Sequence, residues 1–156
     1  MTAKNVQRVA LVGGGVIGSG WATRCLAHGL SVVVTDPSPA AAEMVLRTVD
    51  SAWPILEEAG LDDEADRSKL EFVPDIETAV ADADFVQENV PEREDLKIAV
   101  HEEIGRHAKD DTVVASSSSG LLPSRLQSRC RKPERLVIGH PFAPVYLLPL
   151  VEVVGG

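Results

Sequence analysis

The sequence contains few aromatic residues, few cysteines and a deficit of positive charge, and each shortage excludes a class of protein. Aromatic residues make up 4% of the 156 residues, whereas hydrophobic residues make up 44%. The core must therefore consist mainly of valine, isoleucine, leucine and alanine, which suit a parallel sheet buried on both faces. The formal net charge of −9 argues against nucleic acid or an anionic membrane as a partner, because both favour basic patches.

The two cysteines, Cys25 and Cys130, show neither metal-ligand spacing nor a CxxC motif. A reduced, cytoplasmic setting without a metal site is the simplest expectation. No apolar run is long enough to cross a bilayer, and residues 1–8 lack the apolar region of a signal peptide. The length fits one domain, and we expect residues 1–156 to form it.

Short apolar runs alternate with longer amphipathic stretches from Gln7 onward. This alternation predicts an α/β fold of the Rossmann type, a doubly wound and mostly parallel sheet flanked by helices. The predicted strands are residues 7–12, 31–35, 70–73, 85–87, 112–115 and 136–139. The predicted helices are residues 16–28, 37–59, 75–82, 92–107 and 124–129.

Three glycines between the first strand and the first helix, Gly13, Gly15 and Gly18, match a dinucleotide-binding turn. The first glycine permits the tight turn, the second lets the backbone approach a pyrophosphate, and the third lets the helix pack on the strand. The pyrophosphate would then lie at a helix N-terminus, where free amides favour an anion. The predicted cofactor contacts in this turn are Gly13, Gly15, Val16, Ile17 and Gly18. A simple glycine-rich turn is the alternative.

Asp36 closes the second predicted strand, 18 residues after Gly18. This position is close to the roughly 20 residues expected for the carboxylate that accepts hydrogen bonds from the adenosine ribose. A carboxylate there would repel a 2′-phosphate. The sequence therefore predicts NAD as the cofactor in preference to NADP.

Polar residues also follow later strands, where ligands bind in open α/β sheets. They are Glu88 and Asn89, the serine run 116–119, and His140. His140 is the candidate acid or base, since an imidazole can take the proton of an alcohol as hydride leaves its carbon. The alternatives are a structural histidine at a strand end and a flexible serine loop.

Glu152 lies within the apolar run Leu150–Val154. An isolated carboxylate is costly to bury without a partner, and His140 is a natural partner for it. A half-exposed edge strand is the alternative for this run. We expect His101 and His107 to lie on a polar helix face at the surface.

Four segments resemble the 3-hydroxyacyl-CoA dehydrogenase superfamily, and within it the branch of L-carnitine dehydrogenase and lambda-crystallin. The segments are VALVGGGVIGSGWA, VQENVPEREDLK, SSSSGLLPS and GHPFAPVYLLPLVEVVGG. The resemblance implies that His140 is the catalytic base, that Glu152 orients it, and that Ser119 orients the substrate. It also implies that Glu92 and Lys97 contact the nicotinamide side of the cofactor.

The chain departs from the family pattern in two ways. Ala143 stands where the family's HPxNP motif usually has asparagine, and the sequence ends at Gly156. Family members continue into a helical domain that supplies a further catalytic asparagine, much of the substrate pocket and most of the dimer interface. The resemblance therefore implies an isolated cofactor domain that binds NAD with little or no turnover, and a homodimer in the full-length parent.

The substrate implied by the resemblance is a small 3-hydroxy acid such as carnitine. The interval from Asp36 to Phe72 is shorter than the helical hairpin with which acyl-CoA members contact CoA. A 3-hydroxyacyl-CoA dehydrogenase is the alternative enzyme, which would belong to fatty acid metabolism. A dinucleotide-binding or crystallin-like module without catalysis is the other alternative.

Overall fold

The computed structural model describes residues 5–156, and a single seven-stranded sheet runs through them. The strands are β1 (Arg8–Val12), β2 (Ser31–Thr35), β3 (Leu70–Phe72), β4 (Phe85–Glu88), β5 (Val113–Ser116), β6 (Leu136–Pro141) and β7 (Val151–Gly155). The α-helices are α1 (Val16–Ala27), α2 (Ala41–Ala59), α3 (Ile76–Val80), α4 (Glu94–His107) and α5 (Pro123–Leu126). Short 3-10 turns span Arg67–Lys69, Gln127–Arg129 and Pro133–Arg135.

The strand order is β3-β2-β1-β4-β5-β6-β7, and the first six strands are parallel. This arrangement confirms the doubly wound, mostly parallel sheet. From β1 the chain extends the sheet first through β2 and β3, and then in the opposite direction from β4. The crevice between the carboxyl ends of β1 and β4 is therefore the topological switch point, where ligands bind in such sheets.

Both faces of the central strands are buried, because helices pack on each face. Successive side chains of a strand point to opposite faces, so each strand contributes to both buried clusters. Leu11 and its alternate neighbours pack against α1 and α2 on one face. Ala10 and its alternate neighbours pack against α3, α4 and α5 on the other. This explains why the strands read as continuous apolar runs.

The longest helix, α2, buries one face through Val45, Val49 and Trp53 and exposes the other. It ends at Gly60, whose φ of 99° suits glycine. Within residues 5–156, no helix has both the length and the apolar composition that crossing a bilayer requires.

The strand β7 was not among the predicted strands, although an edge strand was an open alternative. It pairs antiparallel with β6, and all five of its residues are exposed. The expectation that Glu152 lies in a buried run is therefore wrong for this chain. An edge strand has only one neighbour in the sheet, and α5, which contacts β7, leaves all five of its residues exposed.

Candidate active site

The glycine turn follows β1, and the surroundings of its three glycines differ. Gly13 has a φ of 102°, and a Cβ there would lie 2.8 Å from the carbonyl of Asn89. A Cβ on Gly18 would overlap the carbonyl oxygen of Gly13. A Cβ on Gly15 would meet no atom of the described chain within 4 Å. Packing within the chain therefore explains why Gly13 and Gly18 are glycines. Gly15 instead faces open space, in which a pyrophosphate could lie close to the protein backbone.

The helix α1 begins directly after Gly15, and its N-terminus carries no side-chain cap and no acidic residue in its first turn. Its first amides therefore remain available, and the helix dipole favours an anion there. Val16 is exposed at this end of the helix. Gly15, Val16 and Ile17 thus form a suitable cradle for the pyrophosphate of a dinucleotide.

Asp36 holds the turn from the end of β2. Its Oδ2 accepts a hydrogen bond from the amide of Gly14 at 2.8 Å, and its Oδ1 accepts one from the amide of Ser38 at 2.8 Å. A carboxylate has about four acceptor positions, so two remain for ribose hydroxyls. Asp36 lines a cleft of about 580 Å³ together with Gly13 and Gly15.

A second cleft, of about 270 Å³, lies on the other side of Asn89 and Val90, which line both clefts. It contains five of the residues predicted from the sequence: Ile17, Glu92, Lys97, Ser119 and His140. We call these spaces the Asp36 cleft and the His140 cleft. Two adjoining clefts separated by a backbone segment suit the two halves of a dinucleotide.

His140 and Glu152 are brought together by the pairing of β6 with β7, in which they are directly opposite each other. His140 Nδ1 lies 3.0 Å from Glu152 Oε2. An ionised carboxylate only accepts hydrogen bonds, so Nδ1 carries the proton in this pair, and in the neutral imidazole Nε2 then has the lone pair. The His140 side chain is 28% exposed and that of Glu152 is 61% exposed. Their pairing therefore follows from strand register rather than from burial.

Glu92 anchors the serine run to the His140 cleft. Its Oε1 accepts hydrogen bonds from Ser118 Oγ at 2.5 Å, from the Ser119 amide at 3.0 Å and from the Gly120 amide at 3.2 Å. Partial burial raises the pKa of Glu92, but the combined effect of these donors and the Lys97 ammonium is larger. The pKa of Glu92 therefore lies below its usual value. The run is thus tied to an ionised carboxylate, and Ser119 is presented at the cleft.

Lys97 lines the His140 cleft from beneath. Its main partner is Glu88, to which the sequence assigned no specific role. Lys97 Nζ donates to Glu88 Oε1 at 2.6 Å and to the Val90 carbonyl at 3.0 Å. Glu88 also accepts from the Val90 amide at 2.6 Å and from Ser116 Oγ at 2.5 Å. Both charged side chains are almost completely buried. Removing one member of a buried ion pair typically costs about 3–5 kcal/mol.

His101 is also buried, so the prediction that it lies at the surface is wrong. Its Nε2 lies 3.2 Å from Glu88 Oε2, outside hydrogen-bond geometry. Burial raises the pKa of Glu88, but the combined effect of His101 and Lys97 is larger. The pKa of Glu88 therefore lies below its usual value. The signal was in the sequence, because Lys97, His101 and Ile104 follow the i, i+4, i+7 spacing of a buried helix face.

Gln87 connects the strand ends beneath the His140 cleft, and the sequence reading missed it. Its side-chain amide donates to Ser117 Oγ at 2.8 Å and to the Gly139 carbonyl at 3.0 Å. Ser117 Oγ in turn donates to Asn89 Oδ1 at 2.7 Å. The carboxyl ends of β4, β5 and β6 are therefore linked by side chains, which fixes the cleft wall.

A family model described as the NAD-binding domain of 3-hydroxyacyl-CoA dehydrogenase matches residues 8–156. The L-carnitine dehydrogenase of Burkholderia mallei is 56% identical over 151 residues, covering 97% of this chain and 47% of that protein. The chain thus spans about half the length of the curated relatives that it matches.

Solved structures of dehydrogenases share the fold of this chain. The NAD⁺-dependent dismutase 5-formyl-3-hydroxy-2-methylpyridine 4-carboxylic acid 5-dehydrogenase has a TM-score of 0.86 and 37% identity, covering 97% of this chain and 50% of its own. The (S)-3-hydroxybutyryl-CoA dehydrogenase of Ralstonia eutropha has a TM-score of 0.86 and 27% identity, covering 97% of this chain and 55% of its own.

Proposed function

The chain belongs to the 3-hydroxyacyl-CoA dehydrogenase family through its NAD-binding domain, and from this premise we propose that it is the cofactor half of an L-carnitine 3-dehydrogenase-like enzyme. The reaction is the oxidation of a 3-hydroxy acid to the 3-oxo acid. The observation that carries the proposal is the His140 cleft, in which a paired histidine, a presented serine and a charged cofactor wall adjoin the glycine turn. Residues 1–156 act as one cofactor-binding domain in this proposal.

The proton step is assigned to His140. Because Glu152 holds Nδ1–H, the lone pair of Nε2 accepts the proton of the substrate hydroxyl. The positive charge that results on the imidazole is stabilised by the adjacent carboxylate. The C–H electrons leave as hydride, the carbon becomes a carbonyl carbon, and NAD when bound supplies the hydride acceptor.

Ser119 and the turn residues orient the two reactants. Ser119 holds the reacting oxygen, since its backbone is fixed by Glu92 at the mouth of the His140 cleft. Glu92 and Lys97 contact the nicotinamide end. Gly13, Gly15, Val16, Ile17 and Gly18 receive the pyrophosphate, and Asp36 receives the adenosine ribose.

The substrate is a small hydroxy acid of the carnitine type. This assignment draws on the 56% identity to a protein named L-carnitine dehydrogenase. It also draws on the connection from β2 to β3, which contains the single helix α2 and one 3-10 turn rather than a hairpin of two long helices. A 3-hydroxyacyl-CoA substrate is the second candidate, favoured by the fold shared with a 3-hydroxybutyryl-CoA dehydrogenase.

The setting of the whole protein is part of the proposal. The net charge of −9 supports a protein that engages neither nucleic acid nor an anionic membrane. The cytoplasmic setting is proposed because the two cysteines show neither metal-ligand spacing nor a CxxC motif. The whole protein is a homodimer whose second domain supplies most of the interface and the rest of the substrate pocket. This chain by itself binds NAD but turns over slowly or not at all.

Cofactor binding by the chain is the first test. We expect NADH to bind more tightly than NADPH in fluorescence titrations, and Asp36→Ala to reduce that preference at least about tenfold, because the carboxylate both accepts from the ribose and repels a 2′-phosphate. Asp63→Ala, in an exposed turn, is the matched control. Absence of NADH binding by the wild-type chain would refute the proposed function.

The catalytic assignment is tested in a form of the protein as long as its relatives. His140→Ala should lower the rate of NAD reduction with carnitine by about 100-fold or more, the usual contribution of a general base. His107→Ala, on the outer part of α4, should leave the rate unchanged. Retained turnover in His140→Ala at neutral pH contradicts the role, and faster oxidation of 3-hydroxyacyl-CoA than of carnitine favours the second candidate.

A further inference from the structure

We propose that His101 is a positioning residue for the nicotinamide end of the cofactor, acting through the buried Glu88 carboxylate to hold Lys97 and Glu92 in place. The inference rests on the proposed assignment of Glu92 and Lys97 as cofactor contacts. His101 itself does not line either the Asp36 cleft or the His140 cleft. Its effect on the cofactor is therefore indirect.

Lys97 is the link between the interior and the cleft. Two of its ammonium protons are used by Glu88 Oε1 at 2.6 Å and the Val90 carbonyl at 3.0 Å. On the cleft side, Glu92 Oε2 lies 3.5 Å from Nζ and forms an ion pair with it. The Glu92 side chain is 43% exposed, whereas that of Lys97 is 1% exposed. The serine run holds Glu92 Oε1, whereas the position of Glu92 Oε2 depends on how firmly Lys97 is held from beneath.

His101 supports Glu88 on the side that Lys97 does not reach. Lys97 serves Oε1, whereas His101 Nε2 lies 3.2 Å from Oε2, which also accepts from Ser116 Oγ. Burying a carboxylate is costly unless nearby donors compensate it, and without the imidazole Oε2 would keep only Ser116 Oγ, whereas Oε1 would keep Lys97 and the Val90 amide. Without the imidazole, Glu88 would rotate towards its remaining donors and change the position of the Lys97 ammonium.

The outer side of the His101 ring lines a cavity of about 30 Å³, which is roughly the room for one water molecule. The charged and titratable groups that share this lining are Lys109, Asp110, Cys130, Lys132 and Arg135. The spare volume lets a phenylalanine ring replace the imidazole with little overpacking. His101→Phe is therefore a variant that removes both nitrogens while keeping the helix packed.

The test compares two ligands that differ only at the nicotinamide end. ADP-ribose shares the adenosine and diphosphate of NADH but lacks the nicotinamide ring. Calorimetry of the chain with His101→Phe should give NADH affinity reduced by about tenfold, comparable with the loss of one interaction with a charged group, and unchanged affinity for ADP-ribose. His101→Gln keeps a side-chain donor and should recover most of the NADH affinity.

His107→Phe is the matched control on the same helix, and it should change neither affinity. Equal loss of NADH and ADP-ribose binding in His101→Phe would indicate general damage and overturn the positioning role. Unchanged NADH binding would overturn it as well. If the wild-type chain binds neither ligand, the proposed function fails, and that result is distinct from the others.

A measurement on the wild-type chain removes the dependence on a folded variant. In spectra of chain labelled with ¹⁵N-histidine, the imidazole signals of His101 should shift on addition of NADH and stay unchanged with ADP-ribose. His101→Gln identifies those signals. Signals that respond equally to both ligands, or to neither, contradict the proposal.

Discussion

At the scale of single residues, the glycine turn shows how one amino acid type meets three different requirements. Gly13 is needed for its positive φ and its close approach to Asn89, and Gly18 for its contact with the backbone of Gly13. These two positions are set by packing within the chain. Gly15 has an ordinary φ of −69°, and a Cβ added there would meet nothing within 4 Å. Its role is therefore towards a ligand.

This difference predicts opposite effects for alanine substitutions in the turn. Gly15→Ala should leave the free energy of unfolding within about 0.5 kcal/mol of wild type, because the new methyl group meets no protein atom. It should nevertheless weaken NADH binding at least about tenfold, since the methyl group projects into the space assigned to the pyrophosphate.

Gly13→Ala should instead lower the free energy of unfolding by roughly 2 kcal/mol or more, because the side chain strains the positive φ and meets the Asn89 carbonyl. Urea unfolding monitored by circular dichroism, together with NADH titration, separates the two classes. A Gly15→Ala chain that unfolds as easily as Gly13→Ala would contradict this assignment.

At the scale of elements, the site depends on short helices that position the walls of the clefts. The helix α3 has only five residues, and Asp75 caps it by accepting a hydrogen bond from the Thr78 amide at 2.8 Å. Asp75 and Ile76 also line the Asp36 cleft. A helix this short is not stable by itself, so its cap and its packing on the sheet determine its position.

The cap of α3 gives a prediction with a defined pH dependence. Hydrogen bonds from Thr78 lower the pKa of Asp75 below its usual 3.8. Because the pKa is depressed in the folded state, the carboxylate stabilises the fold above the ordinary pKa, and this stabilisation is lost as the pH falls through the folded-state value. Asp75→Ala should lower the thermal unfolding midpoint at neutral pH.

The deficit of Asp75→Ala relative to wild type should shrink as the pH is lowered below about 4, which follows from the same linkage. Asp75→Asn keeps an acceptor at the cap and should retain most of the midpoint at neutral pH. A deficit that stays constant between neutral and acidic pH would contradict a contribution from the ionised cap.

At the scale of the whole molecule, the sheet has an apolar free edge next to the His140 cleft. In β7, Val153 is 70% exposed and Val154 is 49% exposed, and Leu147, Leu148 and Leu150 are exposed just before it. A free edge with apolar side chains is a template for pairing with another chain. The negative net charge of the chain opposes association, but it does not remove the exposed apolar patch through which two chains could associate.

We therefore expect the chain to self-associate, and Val153→Lys to reduce this association because a charge on an edge strand opposes strand pairing. Light scattering over a concentration series measures the effect. Leu46→Lys, at an exposed apolar position of α2, is the control that adds the same charge elsewhere and should leave association unchanged. A monodisperse wild-type monomer at high concentration would contradict the expectation.

The sequence alone determined the order of β1 to β6 and of α1 to α5, the glycine turn and Asp36, because these depend on local patterns. Apolar runs fix buried strands, and the special φ and close contacts of a turn restrict it to glycine. The predicted bounds of β2 agree with the structure, the other predicted elements differ by a few residues at their ends, and β7 was not predicted. His140 was recognisable because it directly follows the predicted strand 136–139, near the edge where ligands bind. In the structure it lies within β6.

Only the tertiary structure decided which partners the site residues have. The register between β6 and β7 brings Glu152 to His140, although Glu152 is exposed rather than buried. The packing of α4 on β4 and β5 buries Lys97 and His101 beside Glu88. These contacts join residues from different elements, and a linear pattern of polar residues does not encode whether a charge faces water or a buried partner.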